Sequence, residues 1–124
     1  MSSKSIEVRV AFIMKMVSHI DCIILRHGKI TKVLEDEVEA KPAMMMALMQ
    51  IGESLNKIDH TILEKFDLLE DTIGSYNVRN FIAHDYDGVD LALIETIIRV
   101  HFPILKEKMK KLESKYCNND TNKK

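Results

Sequence analysis

The chain has 124 residues, 46% of them apolar and 30% charged, with a formal net charge of −1. That balance excludes a disordered chain and gives no global basic excess to support a general nucleic-acid binder, although it leaves room for an enzyme that touches RNA locally. A chain of this length buries roughly two-thirds of its unfolded surface, so one core is expected.

Four glycines and two prolines are few breakers, and long helices are expected. The opening MSSKSIEVRV lacks the apolar stretch of a signal peptide. No apolar run approaches the roughly 20 residues that span a bilayer. Cys22 and Cys117 lie far apart, with no Cys-x-x-Cys, which fits a reducing compartment. A cytoplasmic protein without a membrane segment is expected.

Ile6, Val10, Ile13, Val17, Ile20 and Ile24 recur in steps of four and three, one face of a long helix that Gly28 ends. His19 and Cys22 on it could reach one metal, but two ligands make no site. Residues 30–39 read as a short helix. Pro42 reads as the first turn of the next, running to about Ile58 through Met44, Leu48, Ile51 and Leu55. Its run MMMALM suits core packing or an adaptable helix–helix dimer face. Glu53, in IGES, either anchors a basic side chain or is exposed.

Residues 59–74 give only Ile62, Leu63, Phe66 and Leu69, a short helix or an ordered loop. Gly74 and Ser75 read as a turn and an N-cap before the helix of RNFIAHDY, residues 79–86, which Gly88 stops. Asp90 caps the last segment, whose stripe is Leu91, Ile94, Ile98, Phe102, Leu105, Met109 and Leu112. Pro103 breaks or kinks it. From Lys106 onward seven lysines face three acids, a solvated face and a frayed tail. The pattern predicts an all-α bundle of about five helices, three of them long, in a single domain over 1–117, with a disordered tail at 118–124.

RNFIAHDY carries the chemistry. Each helical residue turns the side chain by about 100°, so Asn80 and His84 stack, while Arg79 and His84 lie about 140° apart. Phe81 can point into the core. Arg79 reaches His84 only by swinging back or across a symmetry axis from a second copy. Histidine serves as both base and acid near neutrality. Arginine binds phosphate with a planar fork. Asparagine can orient either. Together they suit metal-free RNA cleavage, in which the 2′-hydroxyl attacks the neighbouring phosphorus. Asp85 and Asp87, two apart, face different ways and read as surface charge rather than a metal site. Spacing alone is weak, because Arg–x4–His recurs by chance in many helices.

The residues of this segment resemble the HepT-like ribonucleases of the HEPN superfamily, whose signature is Arg–x4–His–x–Tyr. Arg79, Asn80, His84 and Tyr86 all match it. IGES at 51–54 and GVDLALIETIIRVHFPILKEKM are similar to the family's flanking stretches, and the likeness covers roughly 6–114. Asp85 departs from it, since a small residue is common there, and adds negative charge beside the phosphate position. The resemblance implies a HEPN-like helical homodimer with the two motifs near its interface and no cofactor. It implies RNA as substrate, Arg79 and His84 as catalytic residues and Asn80 in support. Glu53 and Asp85 are further candidates for support. It also implies a nucleotidyltransferase antitoxin of the MntA type that attaches AMP to Tyr86. From the residues alone, Tyr86 is equally a packed ring with its hydroxyl at the surface. The alternative function is a non-catalytic helical partner, or substrate-binding subunit, of such a transferase.

Overall fold

The computed structural model describes residues 1–117; the tail at 118–124 lies outside the described residues. Helix α1, Ser3–His27, buries Ile6, Val10, Ile13, Val17 and Ile20 as expected, and Met16 with them. Ser2 starts it, its Oγ accepting the Ser5 N–H at 3.1 Å and satisfying an orphan donor of the first turn. Gly28 ends it with a φ of 89°, donating its N–H to the Ile24 carbonyl at 2.8 Å. Glycine takes that left-handed conformation without strain.

Helix α2, Ile30–Glu35, buries Val33 and Leu34. Asp36 then organises the entry to α3, Ala40–Leu55. Its carboxylate accepts the N–H groups of Val38, Glu39 and Ala40 at 3.3, 3.3 and 3.0 Å. These bonds, that of Ala40 first, hold the carboxyl below the usual carboxylate range. Pro42 sits in the first turn of α3, as expected. The helix stops at Leu55, short of Ile58, because Lys57 and Ile58 turn back to the carbonyls of Ser54 and Leu55, three residues behind. Ile58 is still buried, so the apolar spacing outlasts the helix. In the methionine run, Met44 and Met45 enter the core and Met46 stays exposed.

Helix α4, His60–Lys65, supplies Leu63 to the core. Asp67, with φ 58°, turns the chain into α5, Leu69–His84. The turn and N-cap expected at Gly74 and Ser75 do not form, and both residues lie inside α5. Burial of Leu68 and Thr72 anchors the start of that helix, as does Lys108, which pairs with Asp67 at 3.3 Å and Asp71 at 2.7 Å. Such tertiary contacts override the helix-weakening propensity of one glycine.

Asp90 caps α6, Leu91–Thr96, accepting the N–H groups of Ala92 and Leu93 at 3.0 and 3.3 Å. One π-turn, Ile97–His101, joins α6 to α7, Phe102–Tyr116. Within it the Phe102 N–H reaches the Ile97 carbonyl, five residues back. The π-turn accommodates Pro103, which has no N–H and would otherwise crowd the carbonyl of residue 99. The chain continues without a break, and Ile94, Ile98, Phe102, Leu105, Met109 and Leu112 are buried on both sides of it.

Helix α3 is central, packing most extensively on α5 and α1, while α7 lies along α1. The described residues contain no strand, and the architecture is an all-α bundle. No helix among them is long and apolar enough to cross a membrane.

Candidate active site

Helices α3 and α5 approach closely at Gly52. A Cβ there would collide with the carbonyl oxygen of Ser75 and lie 3.1 Å from the Arg79 Cβ. The missing side chain lets the two backbones approach and sets the next residue, Glu53, opposite Arg79. Arg79 Nη2 donates to Glu53 Oε2 at 3.0 Å, and Nη1 donates to Asn80 Oδ1 at 3.0 Å. The guanidinium carbon also lies 5.7 Å from the centroid of the Tyr76 ring, within cation–π range. Of the two readings of Glu53, the anchoring one holds.

His84 does not join this cluster. It is exposed at the C-terminal end of α5, beside Asp85, Gly88 and Leu93 on a hollow of about 270 Å³. Within the chain the fold gathers Glu53, Tyr76, Arg79 and Asn80, and the imidazole makes no hydrogen bond with them. Asp85 follows the helix as its C-cap. Its N–H donates to the Phe81 carbonyl at 3.2 Å and its Oδ1 accepts the Gly88 N–H at 3.1 Å, closing the Asp85–Gly88 turn.

Tyr86 lies in that turn, past the helix end. Its ring packs against the core with the Lys41 ammonium 5.5 Å from its centroid. The hydroxyl is shielded from solvent and has no hydrogen-bond partner among the described residues. Burial first, then the charges of Asp87 and Glu37, pushes its pKa above the usual tyrosine value. The alternative of a packed ring holds for the ring itself, but its hydroxyl is shielded rather than at the surface. Phe81 also departs from expectation. It is 58% exposed, and Ile82 takes the core position because α5 turns that side towards α3. Phe81, Val78, Leu93 and Ile97 line an open apolar groove that continues into a larger hollow of about 530 Å³ reaching Asp71 and Lys108.

Among the described residues, no group of three or more histidine, cysteine or acidic side chains is placed to hold a metal ion. Sequence reasoning missed Tyr76, and it singled out IGES at 51–54 without the packing role of Gly52. Tyr76 precedes Arg79 by three residues, one helical turn, and that spacing was the available signal. Gly52 lies in the last turn of α3, in a run otherwise free of glycine, and a glycine inside a helical pattern points to a packing reason.

The described residues thus form a helical bundle whose motif helix holds a half-buried, acid-paired arginine and, five residues on, an exposed histidine, group types that can serve phosphate binding and general acid–base chemistry on a phosphodiester. The family model described as ribonuclease HepT-like matches residues 23–112, and the chain belongs to that family. By family the protein is a ribonuclease. No curated protein and no solved structure matches the chain.

Proposed function

We propose that this protein is a metal-independent endoribonuclease, acting in the cytoplasm as the toxin of a toxin–antitoxin pair. The observation that carries the reading is the held arginine, with Nη1 and Nη2 each on a protein oxygen at 3.0 Å, together with a free imidazole at the end of the same helix. In the scheme, His84 takes the proton of the substrate's 2′-hydroxyl. The 2′-oxygen attacks the adjacent phosphorus, and the bond from phosphorus to the 5′-oxygen breaks. A protonated imidazole returns a proton to the departing 5′-oxygen. Arg79 neutralises charge on the non-bridging oxygens and Asn80 keeps its fork aligned. The products are a 2′,3′-cyclic phosphate and a 5′-hydroxyl. Cleavage is expected to persist in excess EDTA and to leave that cyclic end, as read by mass spectrometry of a short RNA. Loss of all activity on chelation would overturn the metal-free scheme.

The separation of Arg79 from His84 within a protomer supports a homodimer in which two motif helices face each other and two histidines divide the acid and base roles. The exposed Phe81 within the motif and Leu93 near it suit such an interface. A specific dimer buries at least about 1,000 Å² in total. Light scattering at micromolar concentration is expected to give twice the 14.3 kDa chain mass, and Phe81→Glu is expected to shift it towards the monomer. A wild-type protein that stays at 14.3 kDa contradicts the composite site.

The same reading makes Tyr86 the point of control by a nucleotidyltransferase antitoxin. The tyrosine oxygen would attack the α-phosphorus of ATP, lose its proton and displace pyrophosphate, leaving AMP on the ring. A bulky anion beside the motif would compete with RNA for Arg79. The shielded hydroxyl means that the Asp85–Gly88 turn must open for transfer. Intact-mass measurement after incubation with such a partner and ATP is expected to show a gain of about 329 Da per AMP, absent in Tyr86→Phe. An undiminished gain in Tyr86→Phe would remove this role from Tyr86.

A further inference from the structure

Tyr76 lies outside the signature that runs from Arg79 to Tyr86, yet it stands one turn before Arg79 on α5 with the guanidinium 5.7 Å from its ring centroid. We propose that Tyr76 is a positioning residue for Arg79, the aromatic side of a seat that also comprises Glu53 and Asn80. The inference rests on Arg79 being the phosphate-binding group of the proposed nuclease.

The seat follows from the chemistry of a guanidinium. Arginine presents five N–H donors in one plane and has weakly hydrated faces. Glu53 and Asn80 engage one Nη each, both at 3.0 Å. These contacts draw on donors in the plane and leave others for a phosphate. They do not by themselves stop the group from tilting about the line that joins them. A ring near the guanidinium opposes that tilt, because its negative face attracts the cation.

Burial makes the contact count. The Arg79 side chain is 29% exposed and Glu53 40% exposed, and Tyr76 is itself half-buried. Water is thus partly excluded from the cation, which strengthens its attraction to the ring relative to an open surface. Gly52 brings the second helix in on the same turn, since its missing Cβ makes room for the Ser75 backbone and the Arg79 Cβ. Tyr76 and Glu53 therefore hold the arginine from two helices, with Asn80 as the third point. Arginine otherwise has a flexible stem whose freedom must be lost when phosphate binds. A seat that restrains it beforehand leaves less to be lost in the transition state.

The test joins a physical readout to a kinetic one. NMR of the Arg79 guanidinium measures rotation about its Nε–Cζ bond, and single-turnover cleavage of a short RNA measures chemistry. Tyr76→Leu is expected to speed the rotation and to lower the maximal cleavage rate by about two- to fivefold, with little change in half-saturating RNA concentration. Tyr76→Phe keeps the ring and is expected to restore both values to within about twofold, since the ring rather than the hydroxyl faces the cation. Rotation and cleavage unchanged in Tyr76→Leu would overturn the proposal, as would equal losses in the Phe and Leu variants. Faster rotation with undiminished cleavage would overturn it too. A wild-type protein that cleaves no RNA defeats the nuclease scheme, while the rotation measurement alone still decides whether the seat exists.

Discussion

Replacing His84 by alanine is expected to lower RNA cleavage by about 10²–10⁴-fold, the usual worth of proton transfer by a placed side chain. The same change is expected to leave the fold intact. His84 is exposed at the last position of α5 and its imidazole makes no hydrogen bond among the described residues, so its removal strands no partner. Alanine is also the better helix former. Arg79→Ala is expected to fail comparably in activity. It frees the Glu53 carboxylate, but at 40% exposure water can solvate that group, and the helical signal in circular dichroism should persist. Arg79→Lys should rescue poorly, because one ammonium cannot reach Glu53, Asn80 and a phosphate as a planar fork does. Cleavage kinetics and circular dichroism on the same samples separate catalytic loss from unfolding. A His84→Ala protein that cleaves at the wild-type rate would remove His84 from the mechanism. A wild-type protein that cleaves nothing, yet binds a nucleotidyltransferase tightly, would favour the reading as a non-catalytic partner.

The stripes of α1, α3 and α7 were readable because each repeats the helical period over about three turns or more, and burial then follows from geometry. Ile13, Met44 and Met109 needed no tertiary information to be placed in the core. The region at 59–74 resisted for a physical reason. Its short α4 and the left-handed Asp67 have little periodicity, and the start of α5 is fixed by burial of Leu68 and by Lys108, 37 residues beyond Asp71. A glycine in such a segment reads as a break when local propensity is the only guide. Pro103 marked the irregularity of the last segment but not its form, since a π-turn is an accommodation that residue types alone do not announce.

The candidate site was legible in its residue types and only partly in its arrangement. Helical angles separated Arg79 from His84 before any coordinates, and the Arg79 fork does reach away from the imidazole to Glu53. That Glu53 is the partner depends on how closely α3 meets α5, which residue spacing along one helix cannot give. Tyr86 was identified as a candidate by its place in the signature. Its shielded hydroxyl follows from packing of the turn after α5 and from Lys41 at the start of α3.

Two glycine substitutions are expected to move stability in opposite directions, and their contrast tests how the site is held together. Helix propensity alone predicts that both Gly52→Ala and Gly74→Ala stabilise, by roughly 0.5–1 kcal/mol each, since both residues lie inside helices. Contact geometry separates them. A Cβ at Gly74 meets nothing, so the propensity gain stands and the melting temperature should rise. A Cβ at Gly52 runs into the Ser75 carbonyl oxygen, a backbone atom that cannot swing aside as a side chain would. Helices α3 and α5 must move apart along the most extensive contact in the fold. Overpacking of this kind costs about 1–3 kcal/mol, occasionally more, and outweighs the propensity gain. Thermal and urea unfolding should therefore show Gly52→Ala below wild type and Gly74→Ala above it. The shift should also reach the site. Moving α3 displaces Glu53 from the Arg79 fork, so Gly52→Ala is expected to lose cleavage even at temperatures where it remains folded. A Gly52→Ala protein as stable and as active as wild type would show that the close approach of these helices is dispensable for holding Arg79.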